Sequence, residues 1–199
     1  MIINHWIRIT KEEVKKDNAV IHELSASLST AEDIYKAQGY TYLKFFKMDI
    51  LSKWAWFSAE CLLNCDNQLL YNSLDKNKIG IVLSTSHGCL QADKSFNATL
   101  ATIPSPAVFV YTLPNIMLGE LCIRHGFKGE QFCLENEVFD PEQTHFLVSD
   151  LMEKREVDAC LCGWVDVTKE EKDICLFWIT KDSKGKEFSP AAMQEIYNN

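Results

Sequence analysis

The sequence has no apolar run long enough to cross a lipid bilayer. Its longest apolar stretches, such as residues 174–179, fall far short of the roughly 20 residues that a membrane-spanning helix needs. The N-terminus lacks a basic segment followed by an apolar one, so we expect no signal peptide. Positive charge is scarce, because 20 Lys and Arg residues stand against 28 Asp and Glu, for a net charge of −8. That balance argues against nucleic acid or an anionic membrane as a partner.

Repeats, low-complexity tracts and linkers are also missing, so residues 1–199 are predicted to form a single domain. The chain is long enough to bury a full core, and its 47% hydrophobic and 24% charged residues are ordinary for a globular protein. The 8 cysteines lie inside apolar runs rather than in a short, loop-rich framework. Together with the missing signal peptide, they favour reduced thiols in the cytoplasm.

The hydrophobic pattern predicts strands that alternate with helices. Residues 79–83 are continuously apolar, as in a strand buried on both faces, and the charged turn 168–173 is short enough for an antiparallel hairpin. This alternation predicts an α/β fold with a mostly parallel sheet and one antiparallel edge. The predicted strands are 6–10, 79–83, 132–137, 159–167 and 174–180; the predicted helices are 22–36, 49–64, 92–102, 115–125, one beginning after Asp140 and Pro141, and a short one within 189–199; a capping box is predicted from Thr10 to Glu13.

One segment, Asn115-Ile-Met-Leu-Gly119-Glu-Leu-Cys-Ile-Arg-His-Gly126-Phe-Lys-Gly129, resembles the middle of the N-terminal half of β-ketoacyl synthases, the thiolase-like condensing enzymes. Residues 79–88, 106–115 and 157–166 are similar to neighbouring segments of that family, so the resemblance covers roughly residues 45–167. It implies the N-terminal-type half of a thiolase-like fold, with a five-stranded mixed sheet and helices on both faces. The family's second half, with two catalytic histidines and a lysine, has no counterpart here.

The resemblance places Val138 at the position of the nucleophilic cysteine, nine residues past Gly129. Pro141 removes one N–H from the following helix, and the acids Glu137 and Asp140 would raise the pKa of any thiol there. We therefore predict no catalytic residue and no cofactor. The candidates for a pocket or turn at this position are Ser86, His87, Asn115, Glu137, Val138 and Phe139.

Other potential nucleophiles and ligands are better explained by packing. Cys133 falls inside a predicted strand, and Cys160 and Cys162 share one face of another without a second pair at metal-binding spacing, so no metal site is predicted. Ser86 and His87 are adjacent, and no acid stands in an evident position to orient the histidine, which favours a structural role.

Two hypotheses follow from the resemblance. The first is a catalytically silent subunit, like chain-length factors, that binds acyl chains or partners a ketosynthase in fatty-acid or polyketide (aryl-polyene-type) synthesis. The second is a 3-oxoacyl-carrier-protein synthase or acyltransferase that uses another thiol or a partner's histidines. The missing cysteine and second half favour the first.

We also predict a homodimer, or a heterodimer with a ketosynthase, around residues 105–137. An acyl carrier protein is a possible further partner, although it is acidic and its docking would need a local basic patch. The interface candidates are Phe109, Tyr111, Met117, Phe132, Leu134 and Asn136.

Overall fold

Helices and strands alternate along the chain in a computed structural model that describes residues 1–25 and 29–199. The strands are β1 (Ile2–Ile9), β2 (Glu13–Lys16), β3 (Ala19–Glu23), β4 (Asn64–Cys65), β5 (Gln68–Leu69), β6 (Ile79–Thr85), β7 (Gln131–Glu135), β8 (Ala159–Val167), β9 (Lys172–Thr180) and β10 (Lys186–Glu187). The helices are α1 (Ala31–Ala37), α2 (Ile50–Leu63), α3 (Leu90–Thr99), α4 (Pro106–Phe109), α5 (Ile116–His125), α6 (Pro141–Lys154) and α7 (Pro190–Asn198), with 3₁₀ turns at Leu43–Lys47, Lys76–Lys78 and Val110–Thr112.

Within the described residues the main sheet has eight strands, in the order β3-β2-β1-β9-β8-β6-β7, with β10 paired to β1. The mixed α/β class is confirmed, but the prediction of five strands is wrong. The prediction of a mostly parallel sheet is wrong as well, because only β6 makes parallel pairs, with β7 and β8, and the other ladders are antiparallel. The β8–β9 hairpin is confirmed, although it lies inside the sheet rather than at its edge.

Two of the three extra strands, β2 and β3, come from the first 23 residues, where the sequence pattern was misleading, and the third is the short strand β10. The predicted capping box from Thr10 to Glu13 is instead a turn into β2, and β3 occupies the start of the predicted helix 22–36. Asp17 and Asn18 both have positive φ, 49° and 69°, which two-residue hairpin turns require. The Asp17 carboxylate also accepts a hydrogen bond from the backbone N–H of Trp6 at 2.9 Å. Within 22–36, helix α1 covers only Ala31–Ala37, and residues 26–28 lie outside the described part.

Helices cover both faces of the sheet, as predicted. Neighbouring residues of β6 point to opposite sides, so Ile81 packs under α2 and α5, whereas Val82 packs under α6 and α7. Helix α2 begins after Asp49, whose carboxylate accepts from the N–H groups of Leu51 and Ser52. The remaining predicted elements are present with shifted ends; α3, for example, runs over Leu90–Thr99 rather than 92–102.

Two glycines of the recognised segment bring the chain back to the sheet. Gly126 ends α5 with φ 77°, a left-handed conformation that favours glycine. A Cβ at Gly129 would lie 2.3 Å from the carbonyl oxygen of Ile79, so only glycine lets the backbone approach β6 this closely. The two glycines set the path of the chain into β7. They therefore also determine where the turn after β7 lies.

No single helix in the described part of the chain is long and apolar enough to span a membrane. One pair of helical segments, Pro106–Thr112 and Ile116–His125, meets the criterion jointly by length and composition, but it is bent by 100°.

Candidate functional site

The turn that contains Val138 joins β7 to α6. Asp140 caps α6, since its Oδ1 accepts from the N–H of Gln143 at 2.9 Å, and Pro141 is the first helical residue, as predicted. Val138 lies in this turn with 69% of its surface exposed. An exposed isopropyl group occupies the place where the resemblance implies a sulfur, and it has no nucleophilic atom.

Phe139, a predicted pocket residue, is buried beneath the turn instead. It is 5% exposed, and its ring packs against Trp164, Phe177 and Tyr197. An aromatic side chain next to a solvent-exposed valine turns inward because burying its ring is worth more than burying the smaller valine. Phe139 therefore anchors the turn and is not among the residues that line the cavity there.

His87 is held by a carboxylate at the end of β6. Its Nδ1 lies 2.7 Å from Oδ2 of Asp166, and Oδ1 of Asp166 accepts from the N–H groups of His87 at 2.8 Å and Ser86 at 3.0 Å. The hydroxyl of Thr85 donates to the same oxygen at 3.1 Å. One carboxylate thus fixes both the backbone of the turn and the orientation of the imidazole.

The expectation that no acid orients His87 is therefore wrong. Strands β6 and β8 are parallel neighbours, paired from Ile79 with Ala159 to Ser84 with Trp164, so the residues after each strand meet at one edge of the sheet. The resemblance to the family's strand around residues 157–166 was the signal that could have indicated Asp166. Sequence distance hid it, since 79 residues separate the two partners.

The electrostatics of Asp166 favour its charged form. Burial works to raise the pKa of this carboxyl, but the hydrogen bonds from His87 and Ser86 outweigh burial and lower the pKa below its usual value. A histidine held through Nδ1 by a carboxylate presents Nε2 as a possible general base. No hydroxyl or thiol of the described residues hydrogen-bonds to that nitrogen, so the pair lacks an attached nucleophile.

A small cavity of about 190 Å³ brings together four of the six predicted pocket residues, Ser86, His87, Glu137 and Val138. Asn115 lies elsewhere, exposed at the start of α5. Four acids line the cavity, and six of its residues were not among the predicted pocket candidates: Trp164, Asp166, Thr168, Glu171, Asp173 and Tyr197. Asp173 accepts hydrogen bonds from Trp164 and Tyr197 and pairs with Arg8, so this wall also ties α7 to the sheet.

The cysteines are poor nucleophiles in this fold. Burial raises the pKa of seven of the eight thiols; for Cys89 and Cys133, near the turn, the pKa rises to about 11, with nearby carboxylates adding to the effect of burial. Cys160 and Cys162 are fully buried on one face of β8, within the core under α6 and α7. A buried neutral thiol packs like a small apolar side chain.

Strand β7 lies at one end of the sheet order and, within the described residues, pairs with β6 alone. Three interface candidates on or next to it, Phe132, Leu134 and Asn136, are half-buried. Phe109 is 56% exposed and Tyr111 is half-buried, but Met117 is 1% exposed within the chain's own core and has no surface left for an interface. The outer backbone groups of β7 are free to pair with another strand.

Comparison with known proteins finds similarity in structure only. No family model matches the chain, and no curated protein matches it. The ishigamide ketosynthase/chain length factor superposes with a TM-score of 0.62 at 14% identity, over 90% of this chain and 62% of that chain. A type II PKS acyl-carrier protein in complex with its ketosynthase bound to the hexaketide (AntDE:AntF) has a TM-score of 0.62 at 13% identity, with the same coverage. The ketosynthase ApeO in complex with its chain length factor ApeC, from Xenorhabdus doucetiae, has a TM-score of 0.54 at 13% identity, over 100% of this chain and 91% of that chain.

The chain has the ketosynthase-like fold. It spans 62% of the length of the first two matched chains, and an identity of 14% or less establishes the fold and no activity. The fold class implied by the resemblance of residues 45–167 is confirmed, apart from the number of strands.

Proposed function

We propose that this chain is a ketosynthase-like subunit that does not catalyse condensation and that works by associating with an active ketosynthase or with a second copy of itself. The observation that supports the proposal is the exposed Val138 in the turn after β7, at the position that the resemblance assigns to the nucleophile. The eight thiols offer no substitute, because seven have raised pKa values and the eighth, Cys65, is not among the residues that line the cavity at this turn.

The free edge of β7 supports association through this strand. In the proposed dimer β7 of each protomer pairs across a two-fold axis, so that two sheets run together and the open backbone groups are satisfied. Phe132 and Leu134 are half-buried and stand beside that edge. Phe109, 56% exposed, adds apolar surface that a partner would cover.

The pathway and partners are inferred from the matched structures. Their titles describe ketosynthases with chain length factors and, in one case, an acyl-carrier protein, and a chain only slightly longer than this one takes part in the ApeO–ApeC complex. We assign this chain to fatty-acid or polyketide synthesis of the aryl-polyene type, with an acyl carrier protein as a further partner. A cytoplasmic location belongs to the proposal, since eight free cysteines suit a reducing compartment.

The test is the oligomeric state of the purified chain, alone and mixed with a ketosynthase encoded beside it. We expect light scattering to give a dimer, with itself or with the ketosynthase, rather than a 22.8 kDa monomer. Leu134→Lys places a charge beside the edge of β7 and should abolish association. The matched control is Val20→Lys on β3 at the opposite end of the sheet, where the side chain is 48% exposed. A stable monomer at micromolar concentration that captures no ketosynthase contradicts the proposal.

A second candidate function, acyl transfer by a non-standard site, is favoured by one observation, the pairing of His87 with Asp166. It predicts a covalent adduct or a turnover that the variant His87→Gln lacks. The acylation experiment described in the Discussion separates it from the first proposal.

A further inference from the structure

A second and larger cavity lies away from the turn after β7. It has a volume of about 860 Å³, within the range of small-molecule sites, and it shares no lining residue with the cavity at Val138. It opens between the start of α2 and the helices α3 and α4. Its wall is largely aliphatic, with Met48, Ile50, Ala92, Val108 and Val110 among the lining residues.

Four lysines line this cavity: Lys44, Lys47, Lys53 and Lys169. Such a cluster stands out in a chain whose net charge is −8. Lys44 pairs with Glu120, with Nζ and Oε2 2.7 Å apart, and Lys53 pairs with Glu32. Lys47 and Lys169 are exposed and have no ion pair among the described residues. Neither ammonium group therefore has a carboxylate within ion-pair distance among the described residues.

The two carboxylates in the wall, Asp49 and Glu120, form no ion pair with Lys47 or Lys169 and already have other partners. Glu120 is 5% exposed, accepts a hydrogen bond from the hydroxyl of Tyr111 at 3.0 Å and pairs with Lys44. Asp49 caps α2 by accepting from two backbone N–H groups, at 3.0 and 3.2 Å. The cavity thus combines apolar side chains with two exposed lysines that form no ion pair among the described residues.

We propose that this cavity binds an anionic amphiphile, a free aliphatic carboxylate whose chain packs against the wall while its head group meets Lys47 and Lys169. The apolar wall favours an alkyl chain, and the two lysines favour an anion over a neutral or cationic head group. The inference goes beyond the proposed function, since it concerns binding by the chain itself and requires no ketosynthase.

The test is titration calorimetry with dodecanoate, below its micelle concentration, on the full chain. We expect saturable binding at one site per chain, about fifteenfold tighter than that of decanoate, because each of the two additional buried CH₂ groups contributes roughly a fourfold change. Dodecyltrimethylammonium, with the same chain and the opposite charge, should bind at least tenfold more weakly.

Three variants locate the site. The double variant Lys47→Glu/Lys169→Glu should weaken dodecanoate binding about tenfold, whereas the control Lys94→Glu/Lys184→Glu, with the same charge change on exposed lysines outside the cavity, should not. Ala107→Trp, on an exposed position of the wall, should fill the cavity and abolish binding without disturbing the core.

Absence of saturable binding, equal affinity for the cationic amphiphile, or equal losses in both double variants would each refute the proposal. Light scattering on the same samples tests the competing occupant. A dimer that excludes dodecanoate and dissociates in Lys47→Glu/Lys169→Glu would assign the cavity to a second copy of the chain. A failed binding test does not bear on the predicted association through β7, which is tested separately by light scattering.

Discussion

The purified chain is predicted to form no acyl-enzyme. Val138 has no nucleophilic atom, and the thiols of Cys89 and Cys133 have pKa values raised to about 11 by burial and by neighbouring carboxylates. At pH 7.5 a thiol with that pKa is ionised in roughly one molecule in 3,000, about three-hundredfold less than an exposed cysteine. The reactive form is therefore too rare for stoichiometric acylation on the time scale of catalysis.

The assay is incubation with an acyl thioester, either acyl-CoA or an acyl carrier protein, followed by intact-mass measurement. We expect the mass of the unmodified chain. The matched variant is Val138→Cys, whose thiol occupies a position that is 69% exposed in the native chain and should react with iodoacetamide. This variant should still not condense, because the resemblance implies that the two histidines for decarboxylation belong to the family's second half, and His87 is the one histidine that lines the described cavity.

A stoichiometric adduct on any cysteine of the unmodified chain would refute this reasoning and support the acyltransferase alternative. Condensation by Val138→Cys alone would refute it in a different way, since the missing thiol would then be the sole defect. Loss of an adduct in His87→Gln, with the fold retained by circular dichroism, would identify His87 as its base.

Three further predictions concern the buried network and the site. Burial, with Arg124 and Lys76 nearby, lowers the pKa of His125 to about 3, so the folded chain keeps it neutral at pH 5 while the unfolded chain protonates it. Stability is thus lost as pH falls below about 6.5. Between pH 7.5 and 5 the free energy of unfolding of His125→Gln in urea should change by about 2 kcal/mol less than that of the native chain. An unchanged pH dependence would contradict the assignment. Gly163→Ala should prevent folding or lower the free energy of unfolding by more than about 3 kcal/mol in the same assay. Gly163 has φ 135°, and a Cβ there would lie 2.1 Å from a carbonyl oxygen of β9. A loss of stability below about 1 kcal/mol would show that the strand shifts easily. Asp166→Ala should cost about 2–4 kcal/mol and make the His87 ring mobile by NMR, and a stable variant with an ordered ring would show that other groups hold the turn.

Strong local signals explain what was predicted correctly. The continuous apolar run in β6 and the Asp140-Pro141 pair before α6 specify their elements through burial and capping, which depend on neighbours in sequence. The N-terminal hairpins were not predicted because the positive φ of Asp17 and Asn18 depends on contacts between strands, such as the hydrogen bond from the N–H of Trp6 to the Asp17 carboxylate. The weak pattern of charged residues in this segment does not predict such a turn.

In the candidate site, too, some residues were predicted from local sequence and others depend on the packing of distant strands. Position counting after Gly129 placed Val138 at the turn, and the structure puts Glu137, Ser86 and His87 beside it. Asp166 could not be assigned to His87 from spacing alone, because their contact depends on which strands are neighbours. The inward turn of Phe139 was likewise decided by competition for the space under α6.

The sequence by itself determined the α/β class, most of the helices, the central strands and the absence of a thiol at position 138, since these follow from local patterning and from the identity of one residue. The tertiary structure decided the eight-stranded sheet, the pairing of His87 with Asp166, the free edge of β7 and the lysine-lined cavity. Each of these depends on residues far apart in sequence that meet only when strands and helices pack, and the energy of such contacts is not encoded in any short stretch of chain.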